Sequence, residues 1–481
     1  MRKQFFSRFR IPHVFIFLSG IILFCSILTY IIPSGTYQRT TKRFGDIERN
    51  LVVPGTYEQI PKHFSLTGFI LGDPVEGKAS ATSLLGIFTA IPKGMSQSAG
   101  LIFFIFTIGA VFNLIQDTGT ISAIIFKIMD KFRNTPVLLP VIIFTIIALG
   151  STLLGMGTEF IPMIPIFLMV SKRLGYDRLY GVSFLLLAEG VGWTSGITNP
   201  FNVQIAQQIA EVPIGSGIGF RVIFFIVCYS LGLGYFLWYG KNVRSNPSKS
   251  IMKDDPFSID GSDGLKVKLE KKHLLIALVA VVILTMVIYA AQTMGWGLFE
   301  MSGGFLAVGV CTIFICGMNG DKAMESFIKG LQLMIVPALI VGVARGIQVV
   351  MDEGQIIDTI LHHAAGVLQE QPKWLAVQGM FVFQSSLNFF IPSASGQALV
   401  TMPLLVPLSD LVHLSRQMAV FTFLIGDGMS NMIIPTNGFL MAVLGIAGVP
   451  FEKWFKFIFP LFLILVIVGS VFLSIALYIN Y

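Results

Sequence analysis

The chain has 481 residues, of which 54% are hydrophobic and only 12% charged, a balance that excludes an ordinary soluble globular protein and fits a polytopic membrane protein. A formal net charge of +7 could suggest nucleic acid, but in so apolar a chain the placement of Lys and Arg carries the information, not their sum. No GxxxxGK[ST], HExxH or GxSxG motif occurs, so neither a nucleotide loop nor a hydrolytic constellation is legible.

Residues 1–32 begin with Arg2, Lys3, Arg8 and Arg10 and continue into a first apolar run, which places the N-terminus in the cytoplasm. The run is long for a cleaved signal peptide and lacks a small-x-small exit. Residues 33–82 are polar, with turn signals at Pro33–Ser34–Gly35, Pro54–Gly55 and Gly72–Asp73–Pro74, and form an expected extracytoplasmic cap. Residues 83–240 then make up one half of the remaining apolar chain. A basic loop follows at 241–272, with Lys241, Arg244, Lys249, Lys253, Lys266, Lys268, Lys271 and Lys272, and is expected to be cytoplasmic. Two linking spans occupy 273–318, and 319–481 is the second half. Near-continuous apolar runs able to cross about 30 Å of hydrocarbon recur along both halves, among them 99–116, 136–171, 179–197, 331–350, 373–391 and 416–435. Cys25, Cys228, Cys311 and Cys316 lie in such runs without CxxC or His spacing, and are read as buried thiols without a role.

The halves repeat. Glu189–Gly190 followed by Thr198–Asn199–Pro200 returns 238 residues later as Asp427–Gly428 followed by Asn431 and Thr436–Asn437–Gly438. Pro165 and Arg178 return at the same offset as Pro403 and Arg416. The amphipathic stretch of the first half carries Lys127, Lys131 and Arg133, whereas its counterpart carries Asp352, Glu353, Asp358 and Glu370. Basic inside and acidic outside implies two inverted structural repeats. The expected fold is therefore an all-α polytopic membrane protein with inverted repeats, discontinuous helices and re-entrant helical hairpins.

Two Gly/Pro clusters interrupt apolar sequence and read as hairpin tips: Gly155 to Pro165, containing Thr158 and Glu159, and Ile391 to Gln397, containing Ser393 and Ser395. Backbone freed at membrane depth is tolerated only where it lines a cavity in protein. Thr198, Asn199, Thr436 and Asn437 can offer hard oxygen ligands to Na⁺, and half-helix N-termini attract a carboxylate; interhelical hydrogen bonding is the other role open to them. Glu159, Glu189 and Asp427 are acids deep in apolar sequence, suited to carry a proton, ligate a cation or face a cationic substrate group. Arg345 interrupts an apolar run and can bind a substrate carboxylate or neutralise one of those acids. His362 and His363 are adjacent, point apart on a helix and do not suggest a metal site.

Together Glu189 to Gln208, Ser216 to Arg221, Ala344–Arg345–Gly346–Ile347, Ile391 to Gln397 and Gly426 to Gly438 resemble the YfcC branch of the C4-dicarboxylate anaerobic carrier family. The similarity runs from Ile32–Pro33–Ser34–Gly35 to Phe451–Glu452–Lys453–Trp454. That branch includes arginine/ornithine exchangers and the wider family dicarboxylate carriers. The resemblance implies helical hairpins, an elevator-like motion, a homodimer and a bacterial cytoplasmic (inner) membrane location. Family members commonly show two adjacent acids at the first tip, where this chain reads Thr158–Glu159. The expected function is secondary transport of a small carboxylate-bearing metabolite, foremost a basic amino acid, with no cofactor beyond Na⁺ or H⁺ as coupling ion and no nucleic-acid partner. The alternative is an H⁺- or Na⁺-coupled C4-dicarboxylate carrier. Three acids against one central Arg favour a cationic group on the substrate.

Overall fold

The computed structural model describes residues 14–44, 47–131, 137–255, 269–294 and 296–481. Arg2, Lys3, Arg8 and Arg10, together with Arg133, Lys266 and Lys268, lie outside the described residues. In chain order, helix α1 (Val14–Ile31) leads into a cap of six short strands, β1 (Ser34–Thr36), β2 (Arg39–Phe44), β3 (Ile47–Val52), β4 (Glu58–Ile60), β5 (Lys62–His63) and β6 (Ala79–Ser80), with α2 (Leu66–Ile70) before β6. The first half follows as α3 (Leu84–Gln97), α4 (Ala99–Asp117), α5 (Thr120–Lys131), α6 (Leu138–Leu154), α7 (Ile164–Arg173), α8 (Arg178–Ser195), α9 (Ile205–Ile209) and α10 (Ile218–Ser245). After α11 (Lys271–Thr293) and α12 (Leu298–Cys316) come α13 (Gly320–Leu333), α14 (Ile335–Glu353), α15 (Ile357–Gln369), α16 (Lys373–Leu387), α17 (Ala394–Leu411), α18 (Arg416–Asn431), α19 (Gly438–Ala447) and α20 (Phe451–Tyr478).

The chain is mostly helical, and five helices or helix pairs among the described residues are long and apolar enough to cross a membrane: Ala99–Asp117, Ile218–Ser245, Leu298–Cys316, Gly320–Glu353 and Phe451–Tyr478. Large apolar side chains such as Phe314, Met286 and Leu278 are exposed on the outside, as lipid-facing surface requires. Several runs that read as single spans are broken. The 136–171 run divides into α6 and α7 around a 3-10 turn at Thr158–Met163, and the 416–435 run ends as helix at Asn431. The 18 residues of α8 and 16 of α18 reach only about 27 and 24 Å at 1.5 Å per residue, short of the hydrocarbon thickness.

At the centre, α8 packs on α18, each buried on nearly every face. Glycine permits the approach: a Cβ on Gly428 would lie 2.3 Å from Thr194 Cα and 2.7 Å from Thr194 N. Helices α6 and α10 pack on α8, and α16 and α20 pack on α18. On the flank, α3 and α14 approach by the same means, Gly94 meeting the backbone of Gly342 and Gly346.

The cap corrects the all-α expectation. β1 pairs with β4 and β2 with β3, both antiparallel, while β5 pairs with β6 in parallel. It docks onto α14 and α15: Ser34 Oγ donates to Gly354 O at 2.6 Å, Gly35 N to Gln355 O at 3.0 Å, and Tyr37 N to Asp358 Oδ2 at 2.9 Å. Tyr57 stacks on His362 with ring centroids 4.1 Å apart, and its hydroxyl meets Thr359 Oγ1 at 3.0 Å. Burial, with help from the Asp358 and Tyr57 charges, pushes the Tyr37 phenol up to about 12, so it stays a donor beside His362 Nδ1. The basic loop docks at the other end of the molecule. Asp177 Oδ2 accepts from Tyr239 Oη at 2.6 Å and Ser250 Oγ at 2.5 Å, and Lys453 Nζ donates to Ile251 O. Helix α1 spans the distance, with Phe17 stacked on Phe451 near the loop and Thr29 against Gly354 near the cap.

Candidate substrate site

Both acid-bearing helices end in a break that an asparagine organises. Helix α8 stops at Gly196, whose φ of +36° favours glycine, and Asn199 Oδ1 then accepts from Phe201 N at 2.8 Å to start a π turn at Pro200–Gln204. Helix α18 stops at Asn431, and Asn437 Oδ1 accepts from Phe439 N at 2.9 Å to start α19. The two asparagines thus do the same work, capping a new helix N-terminus. The side-chain oxygen of each is engaged there. Asn199 is fully buried, with its amide donating to Ser151 O at 3.3 Å, while the Asn437 amide donates to Asn431 Oδ1 at 3.0 Å.

Two further helix breaks meet these. In the first, Gly155 closes α6 with φ +68°, and a Cβ there would lie 2.5 Å from Asn199 Oδ1. In the second, Ser393 caps α17, accepting from Gly396 N at 3.3 Å. Each break is tied to its acid helix through the carbonyl of the acid itself: Ser151 Oγ donates to Glu189 O at 3.0 Å, and Asn388 Nδ2 donates to Asp427 O at 3.0 Å.

The four breaks surround a cavity of about 320 Å³, within the range of small-molecule sites. Of the residues singled out from sequence, Thr158, Glu159, Glu189, Ser393, Ser395, Asn431 and Asn437 line it. The remainder do not. Asp427 is fully buried one step behind the wall, held by Trp193 Nε1 at 2.8 Å and Asn431 Nδ2 at 3.1 Å, and it is these two donors that face the cavity. Gln397 turns to Gln384, donating to its Oε1 at 2.6 Å. Thr198 donates to Leu153 O at 2.8 Å, and Thr436 Oγ1 is buried without a hydrogen-bond partner among the described residues. Arg345 lies elsewhere, donating to Gln97 Oε1 at 3.1 Å and to Gln348 Oε1. Neither Glu159, Glu189 nor Asp427 pairs with it among the described residues.

Sequence reasoning missed Trp193, Phe201 and Phe439 as lining residues. A signal existed, because Phe201 and Phe439 occupy the same 238-residue offset as the acids, as do Trp193 and Asn431. It also missed Arg221. This guanidinium is fully buried in α10, with no ion pair among the described residues. It donates through Nη2 to Ile197 O at 3.1 Å and through Nη1 to Ser216 O at 2.7 Å, fastening the unwound segment just before Thr198–Asn199. Arg221→Gln is expected to leave buried carbonyls unpaired at about 1–3 kcal/mol each, lowering thermal stability and slowing transport together. Arg221→Lys restores the charge without the fork and should rescue neither fully. Unchanged melting of Arg221→Gln in detergent would remove this role.

The electrostatics of the cavity are two-sided. Glu159 and Glu189 come from the first half, and Gly157 brings them together, since a Cβ there would lie 3.4 Å from Glu189 Oε1 while its N–H donates to Glu159 Oε2 at 2.9 Å. That bond satisfies one N–H at the start of the 3-10 turn, as Ser393 does for Gly396 N at α17 and Asn437 for Phe439 N at α19. From the second half come the N-termini of α17 and α19, each with positive partial charge and, at α17, the hydroxyl of Ser395.

Helices long and apolar enough to cross a membrane, beside broken helices that surround a cavity carrying carboxylate, amide and hydroxyl groups, are the features of a secondary transporter. A match to the family described as the C4-dicarboxylate anaerobic carrier spans residues 11–478. The chain belongs to that family. A protein of Escherichia coli (strain K12) named "Putative basic amino acid antiporter YfcC" is 30% identical over 489 residues, covering 96% of each chain. An uncharacterized protein of Haemophilus influenzae is 26% identical over 509 residues, covering 97% of this chain and 96% of its own. Among solved structures, the YdaH transporter of Alcanivorax borkumensis has a TM-score of 0.41 at 14% identity, covering 98% of this chain and 99% of its own. MtrF of Neisseria gonorrhoeae has a TM-score of 0.41 at 15% identity, covering 97% and 96%.

Proposed function

We propose that the chain is a secondary carrier that exchanges basic amino acids, of the arginine and ornithine type, through the cavity lined by Glu159 and Glu189. The observation that carries this is the joining, in one cavity, of two carboxylates with two helix N-termini. Magnitudes decide between substrate classes. A charge about 4 Å from a carboxylate interacts by about 4 kcal/mol at an effective dielectric of 20, whereas a helix N-terminus contributes about 0.3–1 kcal/mol. Two acids therefore outweigh the two N-termini, favouring a substrate with cationic side chain and a single carboxylate over a dianion. The name of the Escherichia coli relative supports the same class.

The architecture proposed for this activity is a pair of inverted repeats, 83–240 and 319–481, with the α6–α7 and α16–α17 breaks as hairpin tips. Supporting it are the matched Asn caps, the matched bonds to the Glu189 and Asp427 carbonyls, and the paired Phe201 and Phe439. The cap then lies outside the cell membrane and the basic loop inside. For a coupling ion, Asn388 Oδ1, Gln397 Oε1 and Thr436 Oγ1 are among the buried acceptors that have no hydrogen-bond partner among the described residues. Neutral amide and hydroxyl oxygens near the second tip suit Na⁺ better than a divalent metal.

Counterflow in proteoliposomes tests the reading. Labelled arginine is expected to accumulate in vesicles loaded with arginine or ornithine and not in vesicles loaded with succinate, with replacement of Na⁺ by choline slowing it. Accumulation of labelled succinate against fumarate, with none of arginine, would transfer the chain to the dicarboxylate class that its family description names.

A further inference from the structure

A second cavity, about 430 Å³ in volume, lies between the cap and the ends of α14 and α15. Its polar lining includes Arg39 from the cap, Gln348 and Asp352 from α14 and Asp358 from α15, beside Thr36, Asn50 and Gln355. Its apolar lining includes Ile391, and Gly396 also faces it, whereas Pro392 to Ser395 face the substrate cavity. One stretch of chain, the break before α17, is therefore the partition between the two spaces.

The charges here are arranged for exchange. The Asp358 side chain is only 6% exposed and takes both Arg39 Nη2, at 3.0 and 3.1 Å from its two oxygens, and Tyr37 N. A carboxylate so buried needs a cationic partner. The Arg39 side chain that supplies it is 43% exposed, on a short strand at the rim. A solvated partner on a buried acid is replaceable by another guanidinium delivered from solution. Asp352 lies beside it, hydrogen-bonded to Gln348 and within electrostatic reach of Arg39, Arg345 and Asp358. The intramembrane arginine that sequence pattern assigned to the substrate cavity thus belongs to the neighbourhood of this outer one.

We infer that the outer cavity is a second binding site for the guanidinium or ammonium end of a cationic amino acid, anchored by Asp352 and Asp358, with Arg39 as a tethered occupant that the ligand displaces. The inference rests on the basic amino-acid reading for the nature of the ligand, but its residues are separate from those of the substrate cavity. A cation held there waits one partition away from Glu159 and Glu189.

Calorimetric titration of the purified full-length chain with L-arginine separates the two ideas. Wild type is expected to show two sites, Glu189→Gln one, and Glu189→Gln with Asp352→Asn none. Arg39→Ala is expected to tighten the outer site severalfold, the direction opposite to that of a damaged cap. Loss of all binding in Glu189→Gln alone would overturn the outer site and leave the transport reading intact. Arginine binding that survives Glu189→Gln unchanged in stoichiometry and disappears in Asp352→Asn alone would uphold the outer site and overturn the transport reading. Weaker outer binding in Arg39→Ala, or an outer site indifferent to Asp352→Asn, would remove the tethered-occupant mechanism and the anchor respectively; absence of arginine binding to wild type would remove both ideas.

Discussion

Glu189→Gln is expected to lower the initial rate of arginine counterflow about 100-fold while leaving the melting temperature within a degree or two of wild type. The carboxylate faces the cavity and accepts no hydrogen bond among the described residues; the Ser151 hydroxyl goes to the backbone carbonyl of Glu189 and not to its side chain. Neutralising it removes an attraction for the substrate cation without breaking a contact that holds the fold. A 100-fold loss corresponds to about 2.7 kcal/mol, below the roughly 4 kcal/mol of an ideally placed pair. Asp427→Asn should act differently. Its oxygens orient Trp193 and Asn431, so the variant is expected to raise the half-saturating arginine concentration and to lower stability as well. Wild-type counterflow in Glu189→Gln would eliminate the central cavity as the route.

The second large effect is structural. Gly428→Ala is expected to yield a chain that melts far below wild type and does not transport. The added methyl would sit 2.3 Å from Thr194 Cα and 2.7 Å from Thr194 N, and these are backbone atoms of a helix buried on nearly all sides. Overpacking ordinarily costs about 1–3 kcal/mol where a side chain can move, and here neither helix can yield without shifting its acid, so roughly 3 kcal/mol or more is expected. Gly234→Ala in α10 is the control, with nothing within 4 Å of the added carbon, and it should be neutral or slightly stabilising. Measured by thermal unfolding in the same detergent, equal melting of the two variants would show that the α8–α18 crossing tolerates separation.

How much of this was legible in sequence follows from what periodic offsets encode. The 238-residue repeat located the acid helices and both Asn breaks because polar residues and helix breakers stand out against apolar sequence. Phe201 and Phe439 share the offset but not the contrast, being apolar residues in an apolar chain. Direction was not encoded either. Asp427 and Glu189 occupy equivalent positions, yet only Glu189 reaches the cavity, because Trp193 and Asn431 close over Asp427. Arg345 was conspicuous for the right physical reason, an arginine at membrane depth, but its face of α14 turns to α3 and Gln97. The cap strands are two to six residues long and mostly polar, too short for alternation to register.

The docking of the cap has a consequence for how the molecule is made. Ser34 waits for Gly354, Tyr37 for Asp358 and Tyr57 for Thr359, partners separated by 320, 321 and 302 residues of chain. At about 5–20 residues per second, a ribosome needs about 15 to 60 s to supply them. Throughout that interval the strands are without their platform, and the cap closes only once α14 and α15 have been made, which makes its docking a report that the second half has arrived.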